Sequence, residues 1–402
     1  MKKIILSIAS VLCFSAAAFA YGTEDYLNPI ITSMPSLSIA PDARAAGMGD
    51  VGVATTADLN SLHWNAAKFA YMDSKGGITA NYTPWLRKLV GDIDLAHLEG
   101  YYNFGDLGGG IAGSFTYFSM GAVQLTDMSG TILQEEAHPN EWALDLSYYR
   151  KLHEYVSMAV ALRFMYSDLN NGINSSVSGS SQKMKPAWTM AADIDLYYRQ
   201  PIDIKMGTSY FILGFTLTNL GGKMTYDDVT KNFIPATMRI GVGYELPFDN
   251  YNKLTFNLQA DKLLVPSRKS RFTEGFDKDN PATWQMSQDA YSNMTSISGI
   301  FKSFADAPYG AAEEFAEVRW GAGLEYTYNR QFFARMGYSY EDKYKGNRNY
   351  LTFGAGFHLS IFSLDFSYCV GLASTNPLDQ TMRFTLGFDL AGIKDLVNNR
   401  KK

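Results

Sequence analysis

The sequence predicts an all-β protein: a transmembrane, antiparallel, up-and-down β-barrel of about 14 strands, with a short N-terminal plug segment. Three observations lead to this fold class. Large apolar residues alternate with small or polar ones, the alternating segments are mostly about 10–15 residues long, and long connections alternate with short ones. Membrane-spanning strands need about 9–11 residues, whereas strands of globular proteins usually have about 5–6. The combination favours a barrel that crosses a membrane.

The alternation is clearest from Val156 to Tyr166, where every second residue is large and apolar. It recurs over 238–245, 351–360 and 381–388. A period of two is typical of a strand with one apolar face. Strands are therefore predicted near 76–86, 92–104, 108–120, 141–152, 155–169, 186–201, 208–220, 236–247, 251–264, 316–329, 331–344, 348–359, 363–373 and 380–390.

The lengths of the connections support the same topology. The even-numbered connections have about six residues or fewer, whereas odd-numbered ones reach about 51, although the eleventh, with about three, breaks the contrast. An up-and-down barrel has short turns at its periplasmic end and longer loops outside. The longest connection, about 266–315, is therefore predicted to be external.

Composition excludes several other classes. Aromatic residues make up 14% of the 402 residues, there are two cysteines, and the formal net charge is −5. Such an apolar chain is not disordered, two cysteines cannot form a disulfide scaffold, and an acidic balance argues against nucleic-acid binding. A protein that crosses the membrane with helices would need stretches of about 18 or more apolar residues, which the sequence lacks.

The N-terminus has the pattern of a secretory signal peptide. Lys2 and Lys3 precede the apolar stretch 4–14, and Ala18-Phe19-Ala20 is a cleavage site of the A-x-A kind. We therefore expect Sec-type export and insertion into the bacterial outer membrane. The predicted organisation is a signal peptide over 1–20, an N-terminal periplasmic or plug segment over 21–75, the barrel over 76–390 and a periplasmic tail over 391–402.

The inward face of the predicted barrel carries eight acids and five arginines. They predict either an ion-pair network that fills the lumen or a proton or ion pathway. The apolar face points to lipid, and aromatic residues at strand ends are expected to form the two interfacial girdles, Tyr101, Tyr102, Tyr197 and Tyr198 among them. The inward charges are Asp145, Arg163, Asp193, Asp195, Arg239, Glu245, Asp261, Arg319, Glu325, Arg335, Asp365, Arg383 and Asp389.

Motifs that resemble enzyme sites lack the context that the chemistry needs. The stretches 47–52 and 108–113 match G-x-G-x-x-G, but neither has the strand before it and the helix after it that bind a dinucleotide. Asp193 and Asp195 lack a supporting third group, and the five histidines lack metal-ligand spacing. We therefore expect no enzymatic activity, no catalytic residue, no cofactor and no metal.

The region before the first strand is rich in small residues and glycines, which permit close packing. A segment of this kind on the periplasmic side most simply plugs the lumen, and the alternative is a disordered leader. The candidate structural residues of the plug are Pro41, Asp42, Arg44, Gly47, Gly49, Trp64 and Asn65.

The stretch PDARAAGMGDVGVAT, followed by HWNAAKFA, resembles the N-terminal region of the PorV (LptO) family, within the FadL-like superfamily of outer-membrane barrels. Similar chains usually have Asn-Pro-Ala where this one has Asn65-Ala66-Ala67. The resemblance implies a fourteen-stranded barrel with a plug and a role in the type IX secretion system of Bacteroidota. Members accept secreted proteins with a conserved C-terminal β-domain from an SprA-type translocon and carry them to an attachment complex that contains the PorU sortase.

The long connection is the candidate docking surface, because loops longer than about 12–15 residues are usually functional or disordered. The alternative is a lid that packs on its own barrel. Other functions left open are a FadL-like transporter of hydrophobic small molecules, lipopolysaccharide deacylation and a purely structural barrel. Expected partners are the translocon, cargo proteins, the PorU-type complex and outer-membrane lipid, but no nucleic acid. The candidate cargo- or translocon-binding residues are Phe272, Phe276, Trp284, Tyr291, Phe301 and Tyr309.

Overall fold

A computed structural model describes residues 27–105, 109–126, 132–170, 185–359, 361–372 and 376–390. Fourteen strands form one closed barrel. Each strand pairs antiparallel with its neighbours, and the first strand pairs with the last. Closure leaves no barrel edge unpaired, as a lipid-facing sheet requires. The predicted fold class is confirmed.

Every predicted segment overlaps one barrel strand, and the ends differ by at most about four residues. The strands are β1 (Gly76–Pro84), β2 (Asp94–Asn103), β3 (Gly109–Ser119), β4 (Asn140–His153), β5 (Val156–Asp168), β6 (Ala187–Ile204), β7 (Gly207–Gly221), β8 (Thr237–Pro247), β9 (Asn252–Leu263), β10 (Val318–Tyr328), β11 (Phe332–Tyr340), β12 (Tyr350–His358), β13 (Phe362–Gly371) and β14 (Met382–Asp389).

The alternation of side chains along each strand separates a lipid-facing surface from a filled interior. In β5, Ser157, Ala159 and Ala161 are buried, whereas Val160 and Leu162 are exposed on the outer surface. Successive residues of a strand point to opposite faces. Small residues therefore line the inside, and they leave room there for the segment that precedes β1.

That N-terminal segment fills the barrel, and we call residues 27–75 the plug. Its residues Ala43, Val51 and Ala54 have no exposed surface. The predicted signal peptide 1–20 and tail 391–402 lie outside the described residues. The plug contains a 3-10 helix (Pro35–Ser38), α1 (Ala43–Ala46), α2 (Ser61–Asn65) and a second 3-10 helix (Ala66–Tyr71).

Two tyrosines that we assigned to the interfacial girdles face the plug instead. Tyr101 is buried and stacks on Phe69 with 4.6 Å between the ring centroids. Tyr197 is also buried, and its hydroxyl donates to the carbonyl of Thr55 at 3.0 Å. Neighbours in a strand face opposite sides, so Tyr101 and Tyr102 cannot both meet lipid. The girdle prediction is therefore wrong for Tyr101 and Tyr197.

Three of the connections contain structure of their own. Among the described residues, none of the helices combines the length and the hydropathy needed to cross a bilayer. We call residues 264–317, between β9 and β10, the long connection. Its elements are a 3-10 helix (Pro281–Thr283), α3 (Gln288–Asn293), α4 (Ser296–Lys302) and α5 (Ala311–Ala316). Short hairpins pair Val123–Thr126 with Ile132–Ala137 and Met224–Thr225 with Lys231–Asn232.

Candidate functional site: the plug and the long connection

The plug and the barrel wall meet backbone to backbone at glycines. Gly49 has a φ of 76°, in the left-handed region, and a Cβ there would lie 2.6 Å from the carbonyl oxygen of Tyr338. On the wall, a Cβ at Gly337 of β11 would lie 2.0 Å from the carbonyl carbon of Met48. Only glycine permits such an approach. The plug is therefore fitted closely to this part of the wall.

Asp42 joins the two short helices of the plug. Its Oδ1 accepts the backbone N–H of Ala45 at 2.8 Å and so caps the N-terminus of α1. Its Oδ2 accepts the indole N–H of Trp64 in α2 at 2.7 Å. The guanidinium of Arg239 on the wall lies 5.8 Å from the Trp64 ring, within cation–π range. One carboxylate thereby fixes α1 against α2.

Arg44 connects the plug to a chain of alternating charges on the wall. Its Nη2 and Nε donate to the two carboxylate oxygens of Glu325 at 2.7 and 2.9 Å. Its Nη1 lies 2.5 Å from Asp58 of the plug. Glu325 also pairs with Arg335 at 2.6 Å, and Arg335 pairs with Asp365 at 2.5 Å. The arrangement favours an ion-pair network, since each of these charges has a partner of opposite sign.

A buried lysine holds the loop between α1 and α2. The Nζ of Lys68 donates to the carbonyl of Gly52 at 3.0 Å and to the hydroxyl of Thr55 at 2.9 Å. Burial by itself would raise the pKa of Asp58, but the charges of Lys68 and Arg44 outweigh burial and lower this pKa. Asp58 is therefore held as the carboxylate that Arg44 needs.

Asn65 and Ala66 anchor the end of α2 to β6. The Nδ2 of Asn65 donates to the carbonyls of Leu196 at 2.9 Å and of Val53 at 3.2 Å. The backbone N–H of Ala66 donates to Oδ2 of Asp195 at 3.0 Å. A proline at position 66 has no such donor. In this chain a hydrogen bond therefore fixes the backbone at position 66, whereas in the Asn-Pro-Ala pattern the rigid proline ring would do so.

The two spaces found between the plug and the wall of the described structure have mixed polar and apolar linings. A cavity of about 10 Å³ beside His63, Arg163 and Arg239 has room for about one water molecule. A cleft of about 400 Å³ lies at the end of the barrel that has the short turns. Lys253 and Asp365 are among its lining residues. Neither space is an apolar channel.

The long connection has an aromatic interior of its own. Trp284 and Tyr309 meet edge to face with their ring centroids 4.9 Å apart. Tyr291 packs on Phe233 of the neighbouring connection at 5.1 Å, and the guanidinium of Arg268 lies 4.8 Å from the Tyr291 ring. Trp284 and Tyr291 are buried. These contacts make the long connection a packed structure at the barrel rim.

Other apolar residues of the long connection face outward, and we call them the apolar patch. A cleft of about 430 Å³ lies between two of them, Phe304 and Phe315. Phe315 also stacks on Trp320 of the outer barrel surface at 6.1 Å. Exposed apolar residues grouped within one connection are typical of interaction sites. The patch consists of Phe272, Ile297, Phe301, Phe304 and Phe315, whose exposed fractions are 42%, 70%, 74%, 46% and 52%.

Residues 22–270 match the family model described as "Type IX secretion system protein PorV". The chain belongs to the PorV family. This family and the closed barrel make it an integral protein of the outer membrane. No curated protein matches the chain.

Among solved structures, the chain of this PorV-family member is similar to outer-membrane transporters. The Pseudomonas putida toluene transporter TodX is 10% identical with a TM-score of 0.48, and the match covers 91% of this chain and 98% of TodX. The Ralstonia pickettii toluene transporter TbuX is 12% identical with a TM-score of 0.49, over 86% and 97%. A Pseudomonas aeruginosa FadL homologue is 10% identical with a TM-score of 0.41, over 90% and 99%.

The structure of this PorV-family chain brings the plug residues together but divides the predicted docking residues. Phe272 and Phe301 are exposed, Phe276 and Tyr309 are half-buried, and Trp284 and Tyr291 support the connection from within. Sequence reasoning missed Phe315. No apolar periodicity marks it, because Glu313 and Glu317, two of the buried residues around it, are acidic. The plug residues buried in the lumen are Pro41, Asp42, Arg44, Gly47, Gly49, Trp64 and Asn65.

Proposed function

We propose that this protein binds the conserved C-terminal β-domain of secreted proteins as they leave an SprA-type translocon, and carries them to a PorU-type attachment complex. The observation that supports this role most directly is the plugged lumen. A lumen occupied by the protein's own N-terminal segment leaves the outer surfaces available to partners. The proposal assigns no catalytic step to the barrel.

The apolar patch is the surface that we assign to this binding. Phe301 and Ile297 are the most exposed of its residues, and both belong to α4. They lie four positions apart and so share one face of the helix. Aromatic anchors are enriched at protein–protein interfaces. A partner that covers this face would remove apolar surface from water without any movement of the plug.

The test replaces Phe301 and Phe304 together by serine in the full-length protein. We expect cargo to accumulate in the periplasm, with cargo capture by the purified protein weakened about tenfold or more, since aromatic anchors carry much of the binding energy. The matched control is Leu89→Ser, which changes an exposed apolar residue of the β1–β2 connection at the same barrel end. Both variants should reach the outer membrane at the normal level.

Normal cargo display by the double variant, or an equal loss in Leu89→Ser, would remove the apolar patch from the mechanism.

The FadL-like alternative, transport of hydrophobic small molecules, has weaker support. It needs an apolar route past the plug, whereas charged side chains, Arg163 and Asp365 among them, are part of the lining of the spaces found in the lumen of the described structure.

A further inference from the structure

Three carboxylates meet where the long connection returns to the barrel. Asp306, Glu314 and Glu317 each place one side-chain oxygen within 4.8 Å of the others. Ca²⁺ binds oxygen ligands at about 2.3–2.6 Å, so two oxygens of one shell are up to about 5 Å apart. Mg²⁺, with bonds of about 2.0–2.1 Å, brings them to about 4.2 Å or less. A separation of up to 4.8 Å fits a Ca²⁺ shell without adjustment, whereas Mg²⁺ would require all three oxygens to lie within about 4.2 Å of one another.

The charges around these three residues do not balance. Lys262 of β9 reaches Glu314 at 3.0 Å and Glu317 at 2.7 Å. Lys345 reaches Glu317 at 3.0 Å and also Glu313, a fourth acid, at 2.6 Å. The four carboxylates of this cluster are thus matched by two ammonium groups. With all four carboxylates ionised, two negative charges are left over, which is the charge that one divalent cation neutralises.

Asp306 supplies an independent sign of a ligand. Its side chain is 1% exposed, and its Oδ2 accepts the backbone N–H of Ser267. Its Oδ1 is buried and has no hydrogen-bond partner among the described residues. A buried oxygen of an ionised group without a partner is costly, so native structures usually give it a proton, a donor or a metal ion.

We propose that Asp306, Glu314 and Glu317 bind one divalent cation, with Ca²⁺ preferred. All three offer oxygen ligands, which Ca²⁺ favours, and water completes its shell of six to eight oxygens. The ion would hold the segment after α4 against α5, and Lys262 and Lys345 pair the neighbouring glutamates with β9 and the β11–β12 connection. It would thereby fix the positions of Phe304 and Phe315. Only this last consequence concerns the proposed function.

The test uses the full-length protein in detergent, stripped with EDTA, dialysed and titrated with CaCl₂ and, separately, MgCl₂ by calorimetry. We expect one Ca²⁺ per chain, weaker Mg²⁺ binding and a higher unfolding temperature with Ca²⁺. Asp306→Asn keeps the shape of the side chain and should weaken Ca²⁺ binding at least about tenfold, or 1.4 kcal/mol. Asp289→Asn, at an exposed aspartate of α3, should bind as the parent does.

Glu314→Gln serves as a second variant, because a fold defect in Asp306→Asn would obscure the result. No Ca²⁺ binding by the parent protein, or undiminished binding by both variants, would overturn the proposal. If Asp306 holds a proton instead, Asp306→Asn should be at least as stable as the parent and calcium should have no effect, which also overturns it. None of these measurements involves cargo, so a negative result would not contradict the proposed role in cargo binding.

Discussion

The backbone N–H of Ala66 donates to Oδ2 of Asp195 at 3.0 Å and so connects the plug to β6. Asp195 is 2% exposed, and its Oδ1 has no hydrogen-bond partner among the described residues. The bond to Ala66 is therefore an important compensation for this buried carboxylate. It also explains how the plug keeps its position without the proline that the resemblance leads one to expect.

Replacing Ala66 by proline should destabilise the barrel. The φ of −63° at Ala66 suits proline, so the main effect is the lost donor to Asp195. We expect a cost of about 1–3 kcal/mol for the buried acceptor left unpaired, measured by urea unfolding in detergent. In an Asp195→Ala background the same proline should cost clearly less. Equal costs in both backgrounds would show that this bond is not what holds the segment.

Arg44→Ala should loosen the plug by removing its ion pair with the wall. Breaking a buried pair from one side costs about 3–5 kcal/mol, and we expect the lower end because Glu325 keeps Arg335. Thermal unfolding of the purified protein gives the measure. The control Lys88→Ala breaks a solvent-exposed pair with Asp379 and should leave the midpoint nearly unchanged. Similar midpoints for the two variants would contradict the assigned role of Arg44.

Gly337→Ala should interfere with seating of the plug, since the new Cβ would lie 2.0 Å from the backbone of Met48. Overpacking of this kind costs about 1–3 kcal/mol or more, and backbone on both sides limits relief. The amount of folded barrel in outer membranes, read from heat-modifiable gel mobility, reports the effect. Gly91→Ala, where the nearest atom is 3.9 Å away, should be normal. A normal yield of Gly337→Ala would argue against close seating.

A disulfide between plug and wall should leave secretion intact if the lumen stays closed during function. A Cβ at Gly241 would lie 2.9 Å from that of Ala54, so an Ala54→Cys, Gly241→Cys pair needs a shift of about 1 Å to reach disulfide geometry. We expect equal cargo display under oxidising and reducing conditions. The two single variants report the cost of the added side chains. Secretion that fails only when the bridge is oxidised would mean that the plug has to move.

The sequence alone was sufficient for the strand count and the strand positions, because both depend on a local period of two. The same period placed Glu325, Arg335 and Asp365 on the inward face. Local glycine content and motif identified the plug. The sequence could not show that Arg44 contacts Glu325, because the two residues are 281 positions apart and only barrel closure brings them together.

Only the tertiary structure decided the burial and contacts of residues whose neighbours come from distant segments of the chain. Trp284 and Phe301 are both aromatic residues of the long connection, yet one is buried and the other is exposed, because helix packing on the barrel rim separates them. The sequence predicted no metal site, since the five histidines lack metal-ligand spacing, and it gave no sign that Asp306, Glu314 and Glu317 lie close together. The contacts of these three acids with Lys262 and Lys345 depend on strand register and on the packing of the connections. Both bring together residues that are far apart in the chain, and a local periodicity cannot show such contacts.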